Sequence, residues 1–322
     1  MRTAATLLAA ATGLLATVAS SAQPLTLAVA RTPLSLPVYV ASEKGFFAAE
    51  GVELRLAECS GGHRCLKQLL DGHADLATAS ELPIVFQTFE RSDFAVMGTM
   101  VTTTEDIKLI AHVRSGVSKP LHLVGKRVGV VAGSSSQYFL EHYLLTVGVD
   151  PRSVGIVSLQ PETIGQALQA GTVDAIAIWE PLAYLSTKAL ASNAVVLPNA
   201  SGYILTFNLV LQRRLLGTHD AELRAVLRAV EHAEQFIHEH PDEAKAILRS
   251  RLQLDQAFVD WVWSGLNFHL GLEQSLLTTM EAEARWARRA GHVSGTQSPN
   301  FLAMLHTAPL KSVKPTSVGI VR

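Results

Sequence analysis

The sequence predicts an α/β protein of two related lobes joined by two chain crossings. Three observations predict it. Short apolar runs alternate with amphipathic, glycine-closed stretches from residue 24 to about residue 200. DGHADLATASELP (71–83) and AGTVDAIAIWEP (170–181) superimpose at an offset of 99 residues, placing Gly72 on Gly171, Asp75 on Asp174 and Glu81 on Glu180. In each, a leucine-spaced helix stops at glycine and an apolar strand follows, ending in a carboxylate and, one residue out of step, Pro83 or Pro181. Beyond residue 219 the chain turns helical, as if returning to the first lobe.

In order, PLTLAVA (24–30) reads as a strand and RTPLSLP (31–37) as the loop after it. VYVASEKGFFAAEG (38–51) follows as one helix, then VELRLAE (52–58) as an alternating strand. SGGHRCLKQLLDG supplies a helix, DLATAS a strand, LPIVFQTFE a short helix and FAVMGTMV (94–101) a strand. A second start begins with RVGVVA (127–132), the loop and helix GSSSQYFLEHYLLTVG (133–148), the strand VGIVSL and the helix ETIGQALQAG. After the strand ending at Trp179 come the helix LAYLSTKAL and the strand AVVLPN. IKLIAHV (107–113), a strand, and YILTFNLVLQ (203–212), a long extended segment, are expected to cross between lobes, giving one lobe of 23–110 and 210–322 and another of 111–209. The first C-terminal helix aligns Leu223, Val226, Leu227, Val230 and Ala233 on one stripe.

The chain has 322 residues, enough for two cores; a formal net charge of −1 gives no footprint for nucleic acid. Its opening, MRTAATLLAAATGLLATVASSAQ, has one arginine, an Ala/Leu run and small residues at Ser20 and Ala22. That pattern predicts a signal peptide over residues 1–22, cleavage near Gln23 and a periplasmic protein. Cys59 and Cys65 are the only cysteines, and export permits a bridge. On one helix they would stand about 9 Å apart, so a bond requires Cys59 to precede the helix, before the turn Ser60–Gly61–Gly62.

The best ligand-binding candidate is Gly133, Ser134, Ser135, Ser136 and Tyr138, where a strand runs into a helix. A helix start offers unpaired N–H groups and partial positive charge, and the hydroxyls add donors for an anion without Lys or Arg. One serine suffices for an N-cap; three in a row exceed that need. Ser60, Gly61 and Gly62 form the matching element of the first lobe. Trp179 reads as a lid on the core or a ligand platform, and Glu180 as a ligand group or a partner for hinge N–H groups. Catalytic motifs are missing: no G-x-S-x-G, no H-E-x-x-H and no spaced cysteine–histidine set. His238 and His240 point to different helix faces, so no metal site is expected, and no cofactor either.

YVASEKGFFAAEGVEL, LLDGHADLATAS, LVGKRVGVVAGSSSQYFL, LQAGTVDAIAIWEP and FIHEHPDEA, in that order, resemble the periplasmic substrate-binding proteins of ABC importers in the aliphatic-sulfonate, taurine and nitrate group. The resemblance spans nearly the whole chain after residue 22. It implies a two-lobe, type II Venus-flytrap fold, a small and anionic solute held between the lobes, a monomer, and delivery to an inner-membrane permease with its ATPase. Carried over by position, the pocket falls on Arg31, Thr32, Ser35, Ser60, Gly61, Ser80, Glu81, Ser134, Ser135, Ser136, Tyr138, Trp179 and Glu180. CSGGHRC departs from a plainer small-residue loop. Alternatives on the same fold are a binder of a thiamine-precursor pyrimidine, a periplasmic sensor and a secreted enzyme.

Overall fold

The computed structural model describes residues 24–294 and 297–321, so the expected signal peptide lies outside the described residues. The chain opens with β1 (Leu25–Ala30), a 3-10 turn at Pro33–Ser35, α1 (Leu36–Glu43), α2 (Phe46–Ala49) and β2 (Leu54–Cys59). Next come α3 (Gly62–Leu70), β3 (Leu76–Ser80), α4 (Glu81–Thr88) and β4 (Phe94–Thr103). A second group holds β5 (Ile107–His112), β6 (Arg127–Val130), α5 (Ser135–Thr146), β7 (Gly155–Ser158), α6 (Ile164–Ala170), β8 (Ala175–Trp179), α7 (Leu182–Leu190) and β9 (Ala194–Leu197). The chain then returns through β10 (Leu205–Gln212), α8 (Asp220–Glu239), α9 (Pro241–Leu252), α10 (Gln256–Val262), β11 (Asn267–Gly271) and α11 (Gln274–Arg289).

Two sheets result. One has the order β11-β4-β10-β3-β1-β2 and the other β7-β6-β8-β5-β9. β1 is buried at every position, as suits a strand covered on both faces, and pairs in parallel with β2 and β3. Each crossing delivers the chain into the other sheet as an antiparallel strand. β5 enters between β8 and β9, with Ile107 opposite Trp179, and β10 enters between β3 and β4, with Phe207 opposite Ser80. The starts of β5 and β10 therefore lie beside the carboxyl ends of β8 and β3.

Several expectations need correction. IKLIAHV and YILTFNLVLQ are extended over most of their length, as expected, but they lie within the two sheets instead of crossing between them; the passages between sheets are residues 104–106 and 198–204. The helix expected over 38–51 is two helices broken at Gly45, and the loop 31–37 already contains a helical turn and the first residues of α1. The edge strand β11 has no counterpart in the sequence reading. Its Phe268, Leu270 and Gly271 are buried while Asn267 and His269 are exposed, an alternation too short, at five residues, to mark a strand by itself.

The first sheet packs against α8, whose expected stripe of Leu223, Val226, Leu227, Val230 and Ala233 is buried. β10 carries Asn208 into this core, fully enclosed. Its amide accepts from Thr99 Oγ1 at 2.7 Å and donates to Thr206 Oγ1 at 3.0 Å, which offsets the cost of burying it. In the second sheet, Ile110, Ile176 and Ile178 pack against Ile164, Leu168, Ala183 and Leu190 of α6 and α7.

Cys59 ends β2 and Cys65 lies in α3, with Cα atoms 5.7 Å apart and a disulfide between them. Cys59 thus precedes the helix, as a bond requires. The bridge closes a loop with a sequence separation of only 6, so it removes little unfolded-chain entropy. Replacing both cysteines by alanine should lower unfolding free energy by about 2 kcal/mol in urea denaturation. A loss well above 4 kcal/mol would mean that the bridge holds more than this loop.

Candidate functional site

The carboxyl ends of the parallel strands of both sheets face one another, the position where open α/β sheets take ligands. After β1, Thr32 caps the 3-10 turn by accepting from Leu34 N, and Ser35 Oγ and Tyr39 OH both donate to the Ala30 carbonyl. After β2, Gly61 and Gly62 open α3. Gly61 has φ +99°, where a side chain is strained, and a Cβ there would meet His63 and the Trp179 ring at 3.0–3.1 Å. A Cβ on Gly62 would come within 2.9 Å of Ala79 Cα. Glycine lets the α3 start approach β3 and Trp179 this closely.

The three serines of the α5 start divide their work. Ser134 is the N-cap: its Oγ accepts from Ser136 N at 3.3 Å and donates to Val131 O at 2.8 Å. Ser136 Oγ accepts from Val131 N and donates to Ala177 O, tying the helix start to the β8 backbone. Ser135 Oγ instead reaches the first sheet and donates to Ser80 Oγ at 3.0 Å.

Between these elements lies a cavity of about 30 Å³, room for about one water. Of the expected residues, Thr32, Gly61, Ser80, Ser134, Ser135 and Trp179 line it. The others lie elsewhere. Arg31 faces solvent beside Glu58 at 3.6 Å, and Ser60 bonds Glu162 across the lobes at 3.0 Å. Ser35 and Ser136 are buried and spent on backbone groups. Tyr138 packs edge-on against Tyr203 and Trp286, and Gly133 lines an open surface groove of about 690 Å³ beside α3 and α4, which shares His63 and Pro83 with the cavity.

Glu81 and Glu180, the matched carboxylates, are also outside the cavity lining. Glu81 is wholly buried and accepts from Tyr203 OH, from Thr206 N at 2.7 Å and from Thr206 Oγ1 at 2.8 Å. Glu180 accepts from Trp261 Nε1 at 2.6 Å and from Tyr184 N at 2.9 Å. Its backbone N–H donates to Asp106 O at 3.1 Å. Burial raises its carboxyl to about 7 against the pull of those donors and of Lys108.

Gly62, of the expected Ser60–Gly61–Gly62 element, and Leu34, within the expected loop 31–35, line the cavity too; sequence reasoning missed His63, Asp106 and the apolar contacts Pro83, Ile107, Leu205 and Phe207. His63 stands edge-on to Trp179, centroids 5.7 Å apart, and burial with the neighbouring Arg64 charge lowers its imidazole to about 4. It is neutral at neutral pH. Asp106 is buried, and burial followed by the Glu180 charge raises its carboxyl well above the usual range. Its offset from the strand run hid it; only its place just before β5 hinted at the crossing. No lysine or arginine lines the cavity, so donors there are hydroxyls, amides and a neutral ring. Among the described residues no group of His, Cys, Asp and Glu could hold a metal ion.

The lobes are clasped outside the cavity as well. Arg64 pairs with Glu162 and Gln160, Tyr184 OH donates to Asp255 at 2.8 Å, and Trp286 Nε1 donates to Glu141 at 2.9 Å. Residues 32–244, which include both sheets' parallel strands after β1, match the NMT1/THI5-like family. The chain belongs to that family. A taurine-binding periplasmic protein of Escherichia coli (strain K12) is 26% identical over 255 residues, covering 79% of this chain and 72% of the relative. A Bacillus subtilis (strain 168) protein with a provisional aliphatic-sulfonates-binding name is 29% identical over 231 residues, covering 70% of this chain and 69% of its own. Among solved structures, the alkanesulfonate-binding protein SsuA of Xanthomonas axonopodis pv. citri, bound to MOPS, matches with a TM-score of 0.75 at 21% identity, over 89% of this chain and 100% of that one. The NMT1/THI5-like chain therefore has the periplasmic-binding-protein fold.

Glu180 generates a pH prediction for this fold. Its folded pKa of about 7 lies above the ordinary glutamate value of 4.5, so its contribution is full below about pH 4.5 and is lost as pH rises through 7. Glu180→Gln keeps an acceptor for Trp261 but cannot ionise. Between pH 4.5 and 8 the parent should lose roughly 3 kcal/mol more unfolding free energy than the variant. Parallel stability–pH curves would show that Glu180 does not titrate there.

Proposed function

We propose that this chain is the extracytoplasmic solute-binding component of an ABC importer and captures a small sulfonate between its two sheets. The observation that carries the reading is the cavity at the facing carboxyl ends, bounded by the serine-capped start of α5 and free of lysine and arginine. A sulfonate is a permanent anion with three acceptor oxygens. Helix N–H groups, the Ser135 and Ser80 hydroxyls and the neutral His63 ring supply donors without a counter-charge that would slow release. The sulfonate and taurine binders among its relatives support the same class.

On this reading the chain is exported to the periplasm, its leader is removed near Gln23, and it hands solute to a permease with its ATPase. No helix among the described residues is long and apolar enough to cross a membrane. The passages 104–106 and 198–204 act as the hinge between lobes. A cavity of about 30 Å³ admits no sulfonate, so the lobes must part to load and then close over the solute.

Small-angle scattering tests the motion: propane-1-sulfonate at saturation should reduce the radius of gyration and, at 100 times its Kd, add about 2.7 kcal/mol of stability. Unchanged radius with measurable binding would remove the hinge from the reading. Calorimetry on the serines tests the site. Ser135→Ala should weaken sulfonate binding about tenfold or more while melting near the parent, because its hydroxyl is the one turned to the other lobe. Ser134→Ala should instead lower stability by about 1 kcal/mol through loss of the cap. Equal binding by all three alanine variants, Ser136→Ala included, would place the solute elsewhere.

A further inference from the structure

Three acidic groups meet where the chain returns to the first sheet. Glu81 opens α4, Glu283 lies within α11, and Tyr203 belongs to the passage 198–204. All three are buried, the two carboxyls completely. The Tyr203 hydroxyl donates to Glu81 Oε1 and stands 3.2 Å from Glu283 Oε1. Among the described residues no Lys, Arg or His is hydrogen-bonded or ion-paired to any of the three.

Proton counting separates the two carboxyls. A tyrosine hydroxyl has one proton to give, and Glu81 takes it, so the contact with Glu283 requires a second proton. Glu81 also accepts from Thr206 N and Thr206 Oγ1, the surroundings of a carboxylate. Glu283 has no such donors: its Oε1 meets Tyr203, and its Oε2 is buried without a hydrogen-bond partner. A protonated Glu283 that donates to the Tyr203 oxygen satisfies every contact without a cation. Burial, and then the Glu81 charge, push the Glu283 carboxyl well above its usual range, in the same direction.

The surrounding titratable groups do not relieve the pair. From α5, Tyr138 is itself pushed up to about 12 by burial and by the Glu283 and Glu81 charges, with Arg285 and Arg289 of α11 opposing. His142 stacks on Tyr138 and meets the Ser201 carbonyl of the passage at 3.0 Å. Before β5, Asp106 also has an unpartnered oxygen, and burial and Glu180 raise it, with Glu81 adding and Lys108 opposing. Loss of the shared proton would leave two carboxylates in one enclosed space. Glu81 follows directly on β3, and α11 is packed through Leu276, Leu277, Met280, Ala284 and Ala287. The passage 198–204 is neither helix nor strand, so it is the element that yields.

We propose that Glu81, Tyr203 and Glu283 hold one proton between them as a latch on the passage 198–204, and that loss of this proton as pH rises frees the passage. Glu283 donates to Tyr203 and Tyr203 to Glu81; on release the proton passes to water. A carboxyl raised in the folded state stabilises that state fully at low pH and ceases to as pH rises through the raised value. The latch is therefore fastened on the acid side. It goes beyond solute capture; on the hinge reading, the same release weakens the hold on solute as pH rises.

The test uses the full chain without solute, so its failure leaves the sulfonate reading untouched. Infrared spectra of protein carrying isotope-labelled glutamate, parent minus Glu283→Gln, should show a protonated carboxyl at neutral pH that disappears at higher pH. Glu180 is present in both proteins and cancels. Over the same pH range, hydrogen-exchange protection of 198–204, corrected for intrinsic rates, should fall about tenfold in the parent and by less than about twofold in Glu283→Gln. A carboxyl signal already missing at neutral pH overturns the proposal, as does a signal that vanishes without loss of protection. An equal loss in Glu283→Gln also overturns it, because another acid would then control the passage. Should that variant fail to fold, the parent decides: its carboxyl signal and its protection must change with the same midpoint, and separate midpoints overturn the latch.

Discussion

Both chain crossings are held by a buried carboxylate at the end of a parallel strand. Glu81, just past β3, takes hydrogen bonds from Tyr203 and Thr206, and so fixes the segment that carries the chain from the second sheet back to the first. Glu180, just past β8, anchors the other passage through its N–H to Asp106 O, while its side chain reaches Trp261 of the returning helices. Removing a carboxylate from water is costly, and each is retained only because several donors converge on it. Burial drives both carboxyls upward. Glu283, which also contacts Tyr203, is pushed the same way by burial and the Glu81 charge. The two passages between the sheets are therefore held by short-range polar contacts set in apolar surroundings.

The cavity is a consequence of that placement. Once the starts of β5 and β10 are pinned beside the ends of β8 and β3, the starts of α3 and α5 must face each other. Gly62 allows α3 to press against Ala79, the disulfide ties Cys65 to the end of β2, and Ser136 ties α5 to Ala177. These contacts turn helix termini, which are otherwise mobile caps, into fixed donors. Rigidity here matters because a bound solute gains most from donors that need no reordering.

Much of the architecture was legible because it depends on local rules. Periodicity marked ten of the eleven strands among the described residues, and the α8 stripe foretold the face that packs on the first sheet. Cysteine spacing stated the one condition under which a bridge could form, and β2 ending at Cys59 meets it. The 99-residue repeat correctly singled out Glu81 and Glu180 as equivalent. It could not say that both lie outside the cavity lining, since a carboxylate's partners come from segments far away in sequence, as with Trp261 of α10 for Glu180. Strand β11 escaped notice because its short, glycine-ended run is stabilised by pairing with β4 rather than by its own pattern.

The order of elements, the serine-capped helix start and the family resemblance were all written in contiguous residues, where hydrophobic period, capping chemistry and glycine stops act over a few positions. Tertiary structure alone decided which of three adjacent serines faces the other lobe, which buried acid is satisfied and which is left with an open oxygen. Ser134, Ser135 and Ser136 are equivalent as letters, and so are Glu180 and Asp106 as carboxylates. They become different only when the tertiary fold brings Ser80 to Ser135 and Trp261 of α10 to Glu180, because burial and partner geometry, not residue type, set the energy of a polar group.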